Sequence, residues 1–468
     1  MAKGNRTQAV SRRSVLGAAA AGIAAPYMIP SGVLAAPGRP GPNDRINIAL
    51  IGANGQGNYD MNEVMRYPDV AVVAVCEVGK DRLEQTLARI NTPPKEGNTG
   101  AVRGPGTAKG YNDYREVLAR KDIDAVIIAT SPHWHARMCV DAAEAGKDFY
   151  CEKPMTIHLA ESLVVKRAAE KHKVITQVGT QIHAHPNYRR CVDIIRSGVL
   201  GKISTARTFH VLNQGPEGIG MAPDTDPPSN VDWDMWLGPA PERKFNALLY
   251  KDSAHHPSWM ISGGWTPGMA PHIIDLPWWA LELGFPEITY SSGGRYLIQD
   301  CGDAYDFQEI IWQFPKFTLT WWTSLVNNHA FHKVLQAEPN TGRRRGQFYH
   351  GVDATLIADY AWHEVVPQGD RLKDYKEDDV PKVIPESPGH HREWLDGIRS
   401  RQQPSCHVGY HYKLDVALNL GMLSMKLGRS IRFDPATESI VGDAEAARLA
   451  IPQYRPPWKF PAEYLKTA

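Results

Sequence analysis

Residues 151–156 read Cys-Glu-Lys-Pro-Met-Thr and close a short run that includes Phe149 and Tyr150. Proline biases the residue before it away from helical geometry, so Lys153 is held extended where a strand gives way to a loop. A cis Lys153–Pro154 bond would aim the side chain differently. Glu152 adds a negative charge beside it. A lysine so placed can take a proton from a substrate oxygen or return one. A lysine at a strand end is ordinarily just solvated, so the candidate depends on Lys153 standing at the sheet edge where ligands bind.

A second constellation lies upstream, in Gly52-Ala53-Asn54-Gly55-Gln56-Gly57. Glycines between a strand and a helix let the backbone approach a pyrophosphate, which then rests on the free N–H groups of the helix N-terminus. The spacing is G-x-x-G-x-G rather than G-x-G-x-x-G, and its weight comes from its place in the first strand, turn and helix. Gly52, Asn54, Gly55, Gln56 and Gly57 are therefore candidate cofactor-binding residues. At the end of the second apolar run stands Glu77, whose carboxylate can accept both adenosine ribose hydroxyls and would repel a 2′-phosphate. This favours NAD over NADP, with Lys80 and Arg82 as opposing charges nearby.

These residues need elements to carry them. Continuous apolar runs at 46–52, 70–77, 123–130, 148–151 and 174–179 alternate with helix-like stretches after Gly57 and at 81–90, 133–145 and 157–171. Strands apolar on both faces, separated by amphipathic helices, require a parallel sheet covered on both sides. The chain is therefore expected to be α/β, with a doubly wound Rossmann-type sheet over 45–180. Residues 92–110 lack a hydrophobic period and read as an inserted surface loop. Beyond a helix at 187–197 the runs 203–212, 288–298, 307–314, 317–325 and 354–367 alternate with period two, and helices return at 389–400 and 411–427. Such alternation predicts a large, mostly antiparallel open sheet in a second α+β domain over 181–468, serving substrate binding and oligomerisation.

The glycine turn, Glu77, the stretch Ala129-Thr130-Ser131-Pro132-His133-Trp134-His135 and Glu152-Lys153-Pro154 each follow a strand, in that order. Together they resemble the Gfo/Idh/MocA oxidoreductases. Residues 263–279, which contain Trp265, Gly268, His272 and Asp275, are similar to that family's substrate-site stretch, and 390–400 to its late helix. The resemblance implies a Rossmann domain, a C-terminal α/β domain whose open sheet often makes oligomer contacts, and oxidation or reduction of sugars and cyclitols with NAD(P). It implies Lys153 as the catalytic lysine, His272 as the proton-relaying histidine and Asp275 as the acidic position three residues on. It also adds Thr130, His135 and Glu152 to the cofactor-binding set. A partly buried structural role is the alternative for His272. Many members carry an aspartate where this chain has Gly268. Either Asp275 or another group replaces that carboxylate, or the relay is shorter, or the chemistry differs.

His183 and His185 are candidate substrate contacts, with helix entry or loop as the alternative. Trp265 is the best placed of the thirteen tryptophans to stack on a sugar, although sheet faces and domain contacts also take aromatics. No metal site is expected, since the histidines have no carboxylate or cysteine partner at ligand spacing, and the six cysteines, with no metal-ligand spacing, read as packed thiols.

Net charge is +1, which gives no sign of a nucleic-acid partner. Residues 1–36 carry Arg12-Arg13, a mild Ala/Gly-rich centre and small residues before Ala36, resembling a twin-arginine export signal without a membrane anchor. Removing its four basic and no acidic residues leaves a net charge of −3. The expectation is thus a periplasmic or secreted homo-oligomeric oxidoreductase acting on a sugar, with NAD held and recycled. A redox-assisted glycoside-cleaving enzyme and a non-catalytic sugar- or nucleotide-binding protein are the alternatives.

Overall fold

The early apolar runs form a six-stranded sheet: β1 (Ile46–Ile51), β2 (Val70–Cys76), β3 (Lys109–Tyr111), β4 (Ala125–Ile128), β5 (Asp148–Glu152) and β6 (Thr176–Gly179). This is a computed structural model, and it describes residues 44–92, 108–251, 258–327 and 345–465. The expected leader at 1–36 and most of the loop expected at 92–110 lie outside the described residues. The strand order is β3-β2-β1-β4-β5-β6, with every pair parallel. The order reverses between β1 and β4, and that switch point opens the crevice where such sheets bind ligands. Ile48, Leu50, Val126 and Ile128 are sealed from water, as strands covered on both faces must be.

β3 corrects one expectation. It falls in the stretch read as loop, yet pairs with β2 through Ala74–Cys76. Three residues, two of them exposed, leave no hydrophobic period to read.

The described helices of ten or more residues are α1 (Gly55–Val64), α2 (Lys80–Asn91), α3 (His135–Glu144), α4 (Leu159–His172), α5 (Pro186–Arg196), α6 (Pro271–Ala280), α7 (His390–Ser400) and α8 (Val408–Leu427). The second sheet has nine strands in the order β13-β12-β11-β7-β10-β9-β8-β14-β15. Its members are β7 (Ile203–Val211), β8 (Ile288–Gly294), β9 (Phe307–Phe314), β10 (Phe317–Ser324), β11 (Arg345–Gly351), β12 (Ala354–Ala358), β13 (His363–Pro367), β14 (Ile431–Asp434) and β15 (Ser439–Ile440). It is antiparallel except between β7 and β10. β9 alternates buried and exposed residues and turns over Pro315-Lys316 into β10, pairing Phe314 with Phe317. The single run expected at 354–367 breaks into β12 and β13, because Asp359 Oδ1 accepts the N–H groups of Ala361 and Trp362 and bends the chain.

The chain returns to the first sheet late, which a boundary at 180 does not anticipate. Trp394, Leu395 and Ile398 of α7 pack with Ile48, Leu50 and Tyr150. α8 is apolar nearly all round and is buried accordingly. Val408, Tyr412, Val416 and Leu420 pack with the α4 side of the first sheet, while Leu414, Ala417 and Leu418 join the core under the second. All six cysteines are free thiols and five are buried. No helix among the described residues is long and apolar enough to cross a membrane.

Candidate active site

Gly52 follows β1 with φ +93°, a conformation that side chains resist, and a Cβ there would lie 2.5 Å from the Ala129 carbonyl oxygen. The turn thereby reaches Asn54, which precedes α1 in extended geometry and makes no side-chain cap. The first turn of α1 carries no acidic residue. An uncapped helix start with this charge pattern is fit to receive a pyrophosphate. Gly57 corrects its assignment. It is buried, and a Cβ on it would overlap the Gly52 carbonyl, so it serves close helix–strand packing.

A cavity at the switch point is lined by Gly52, Asn54, Gly55, Gln56, Glu77, Thr130, Glu152 and Lys153. Eight sequence-predicted residues from four separate stretches thus face one space. Glu77 accepts the Ala53 N–H at 2.8 Å through Oε2 and the Gly79 N–H at 3.0 Å through Oε1, so it also braces the glycine turn. Trp236 and Tyr250 add aromatic walls, and Arg82 lies 4.3 Å over the Tyr250 ring. These residues fit a dinucleotide: amides for phosphates, a carboxylate for ribose and apolar walls for a base. Arg82, Trp236 and Tyr250 went unassigned in the sequence because long-range packing recruits them.

Lys153 is half-buried, its peptide bond to Pro154 is cis, and its ammonium has no hydrogen-bond partner among the described residues. His135 was expected to touch cofactor, but it is buried and lines no part of the cavity. Its Nδ1 lies 2.7 Å from the Pro154 carbonyl oxygen and its Nε2 2.9 Å from that of Thr130. The ring therefore ties the Thr130 turn to the segment carrying Lys153. Burial disfavours its charge, but the Cys151 thiol and the two carbonyls outweigh burial and raise its basicity.

His272, the second residue of α6, is half-buried. Burial first, and then the charges of Lys153, Arg345, His210 and His411, push its pKa well below the ordinary imidazole value. It is neutral at physiological pH. Trp265 stacks on His210 at 5.8 Å and 20°, within the same basic neighbourhood.

Three assignments fail. Asp275 is fully buried: Oδ2 lies 2.8 Å from His183 Nδ1, and Oδ1 accepts the Tyr410 hydroxyl at 2.7 Å. It is a packing carboxylate on the inner side of α6 and does not stand in for the acid missing at Gly268. His183 is equally buried, stacked 3.8 Å from Trp279, and so does not reach substrate. His185 is exposed and caps α5 by accepting the Asn187 N–H at 3.2 Å. Candidate ligand atoms of His183, Asp275 and Cys406 lie within 4.8 Å of one another. The facing atoms of the first two already form the 2.8 Å bond.

Sequence reading named Glu152 but missed Asp60, the carboxyl it pairs with behind Lys153. Asp60 and Glu152 are both shut off from water, and Gln56 and Gln181 each bond to both. Burial, aided in Glu152 by Asp60's charge, raises both to about 8. The unfolded groups titrate near 4, so folding retains protons in between. Stability from this pair is full below about pH 4 and is lost as pH rises towards 8. The urea midpoint is therefore expected to fall between pH 5 and pH 8.5, and Asp60→Asn to flatten that slope.

Residues 46–180 match a family model described as an oxidoreductase family, NAD-binding Rossmann fold. Residues 366–460 match its companion, the C-terminal alpha/beta domain. Among curated relatives, an uncharacterized oxidoreductase, YrbE, of Bacillus subtilis is 27% identical over 189 residues, covering 40% of this chain and 47% of its own. A glycosyl hydrolase family 109 protein of Shewanella baltica is 29% identical over 169 residues, 34% of each chain. The chain thus spans less than half the length of the curated relatives it matches. Levoglucosan dehydrogenase, solved with NADH and levoglucosan, shares the fold at a TM-score of 0.53 and 16% identity, over 85% of this chain and 100% of that one.

Proposed function

The chain belongs to the Gfo/Idh/MocA oxidoreductase family, and on that premise we propose that it oxidises or reduces a sugar hydroxyl carbon with NAD, using Lys153 and His272 to move the proton. The observation that carries this reading is the cavity itself, where Lys153 faces the same space as the glycine turn and Glu77. NAD, when bound, accepts or returns the hydride. Lys153 or the neutral His272 takes the hydroxyl proton as the hydride leaves, so no alkoxide need accumulate. Sugar-dependent reduction of NAD by the purified protein tests the reading, and its absence with NAD bound would refute it.

NAD is the proposed dinucleotide because Glu77 lines the cavity beside the glycine turn. Glu77→Gln is expected to weaken NAD binding on the order of 10-fold, the worth of a charged hydrogen bond, and to narrow its margin over NADP. Fluorescence titration with both dinucleotides checks this.

The likeness to a glycosyl hydrolase family 109 protein favours a second reading. Here oxidation beside the leaving group allows its elimination, water adds in its place, and the hydride is then returned to the same sugar. NAD then stays bound across turnovers, and nucleotide released from the freshly purified protein would be stoichiometric.

Export through the leader at 1–36 and a homo-oligomer complete the proposal. Tyr290 and Ile311 are exposed on the second sheet, a face suited to a further copy. Cell fractionation and sedimentation test these two points.

A further inference from the structure

The inner face of the second sheet begins, on β11, with a cation that neither the hydride nor the proton step uses. Arg345 opens β11 and pairs with His210 of β7. Residues two apart on a strand share a face, so Arg345, Gln347 and Tyr349 point the same way. Tyr349 packs with Ile273 and Ile274 of α6. Gln347 donates to the Tyr188 hydroxyl at 2.9 Å, and that hydroxyl donates to the His272 carbonyl oxygen, also at 2.9 Å. Arg345 therefore stands on the face that meets His272. Its Cζ lies 3.8 Å over the Tyr360 ring, and the His272 ring lies 6.1 Å from that same ring. Across the strands, His210 stacks on Trp265. The charges of both Lys153 and Arg345 reach His272, which ties this cluster to the lysine of the dinucleotide cavity.

Arg345 is half-buried, and its guanidinium makes no hydrogen bond or ion pair with a described residue. Residues 263–279 bring it no acid, because their one carboxylate, Asp275, is turned onto His183 and Tyr410. The Tyr360 hydroxyl is buried and has no hydrogen-bond partner among the described residues. A guanidinium presents a planar fork of N–H donors that matches a carboxylate. A buried phenol without an acceptor gains from one that arrives.

We propose that Arg345, backed by Tyr360, binds a carboxylate on the substrate, so that the protein takes a sugar acid in preference to a neutral sugar. This deepens the oxidoreductase reading above and rests on it for the reacting carbon. One guanidinium balances one carboxylate, whereas a phosphate dianion would leave charge over. With Arg345 on the carboxylate and Lys153 at the hydroxyl, two cations fix which end of the sugar meets the lysine. Arg345 thus sets specificity and takes no part in moving the hydride or the proton.

Two measurements test this. Calorimetric titration of the NADH-loaded protein compares glucuronate, galacturonate and gluconate with glucose, galactose and glucose 6-phosphate. At least one of the three sugar acids is expected to bind on the order of 10-fold more tightly than any of the others. Arg345→Gln is expected to weaken that binding on the order of 10- to 100-fold, the worth of a charged, two-pronged contact, and Arg345→Lys to recover part of it. NAD reduction with the same acid is expected to place the loss in KM rather than kcat, and the preference for acid over neutral sugar to collapse in Arg345→Gln. Binding of no sugar acid, tighter binding of a neutral sugar or of the phosphate, or sugar-acid binding that Arg345→Gln leaves unchanged overturns the proposal. A loss that falls equally on neutral sugars marks a structural role and overturns it too. In each of those cases NAD reduction by a neutral or phosphorylated sugar would leave the oxidoreductase reading standing. Sugar-acid binding that depends on Arg345, with no reduction of NAD, supports the carboxylate site and overturns the oxidoreductase reading instead.

Discussion

Lys153→Met is expected to lower kcat for sugar oxidation about 1,000-fold, within the range for loss of a positioned proton carrier, while NADH binding stays near wild type. Methionine keeps the apolar stem and loses only the ammonium. That ammonium makes no hydrogen bond to a described residue, so its removal orphans no buried partner and should leave folding intact. Transient kinetics with a saturating sugar separate chemistry from binding. A change confined to KM would mean that Lys153 only holds substrate. No change in either constant would favour the non-catalytic alternative, a protein that binds nucleotide and sugar without turnover.

Gly52→Ala is expected to cost about 2–5 kcal/mol of stability, the sum of a forbidden backbone conformation and an overpacked contact. The φ of +93° suits glycine alone, and the new methyl would press on the Ala129 carbonyl across the switch point. Neither neighbour can yield, because both are backbone at the ends of adjacent strands. Relief must come from opening the β1–β4 edge, which is also the floor of the cavity. Chemical denaturation should show the loss, and NAD titration of the remaining folded protein should show weakened binding. Wild-type stability in this variant would mean that the glycine turn is not built as described.

The residues legible in the sequence share one property: each works close to its own chain neighbours. Gly52 is set by the strand before it and the helix after it, and Lys153 by the proline that follows. Glu77 stands where its strand ends. What stayed hidden depends on distant chain. Asp60 lies in a helix of mixed polarity, where a carboxylate ordinarily faces water; β5 and, more than three hundred residues on, α7 bury it. Asp275 sits three residues from His272 in a segment that resembles a substrate site, but its partners are His183 and Tyr410. A histidine read as a ligand contact became half of a buried pair, since no local pattern tells a core imidazole from a reactive one. β11 went unseen because its glycines and polar residues mask the alternation.

The most direct measurement is the absorbance of reduced nicotinamide after the purified protein is mixed with NAD and a panel of sugars, beside Lys153→Met under the same conditions. Reduction that requires both sugar and Lys153 is the expected result. A wild-type protein that binds NAD but reduces none with any sugar, or a Lys153→Met protein that reduces it as fast, would contradict the placement of proton transfer at Lys153.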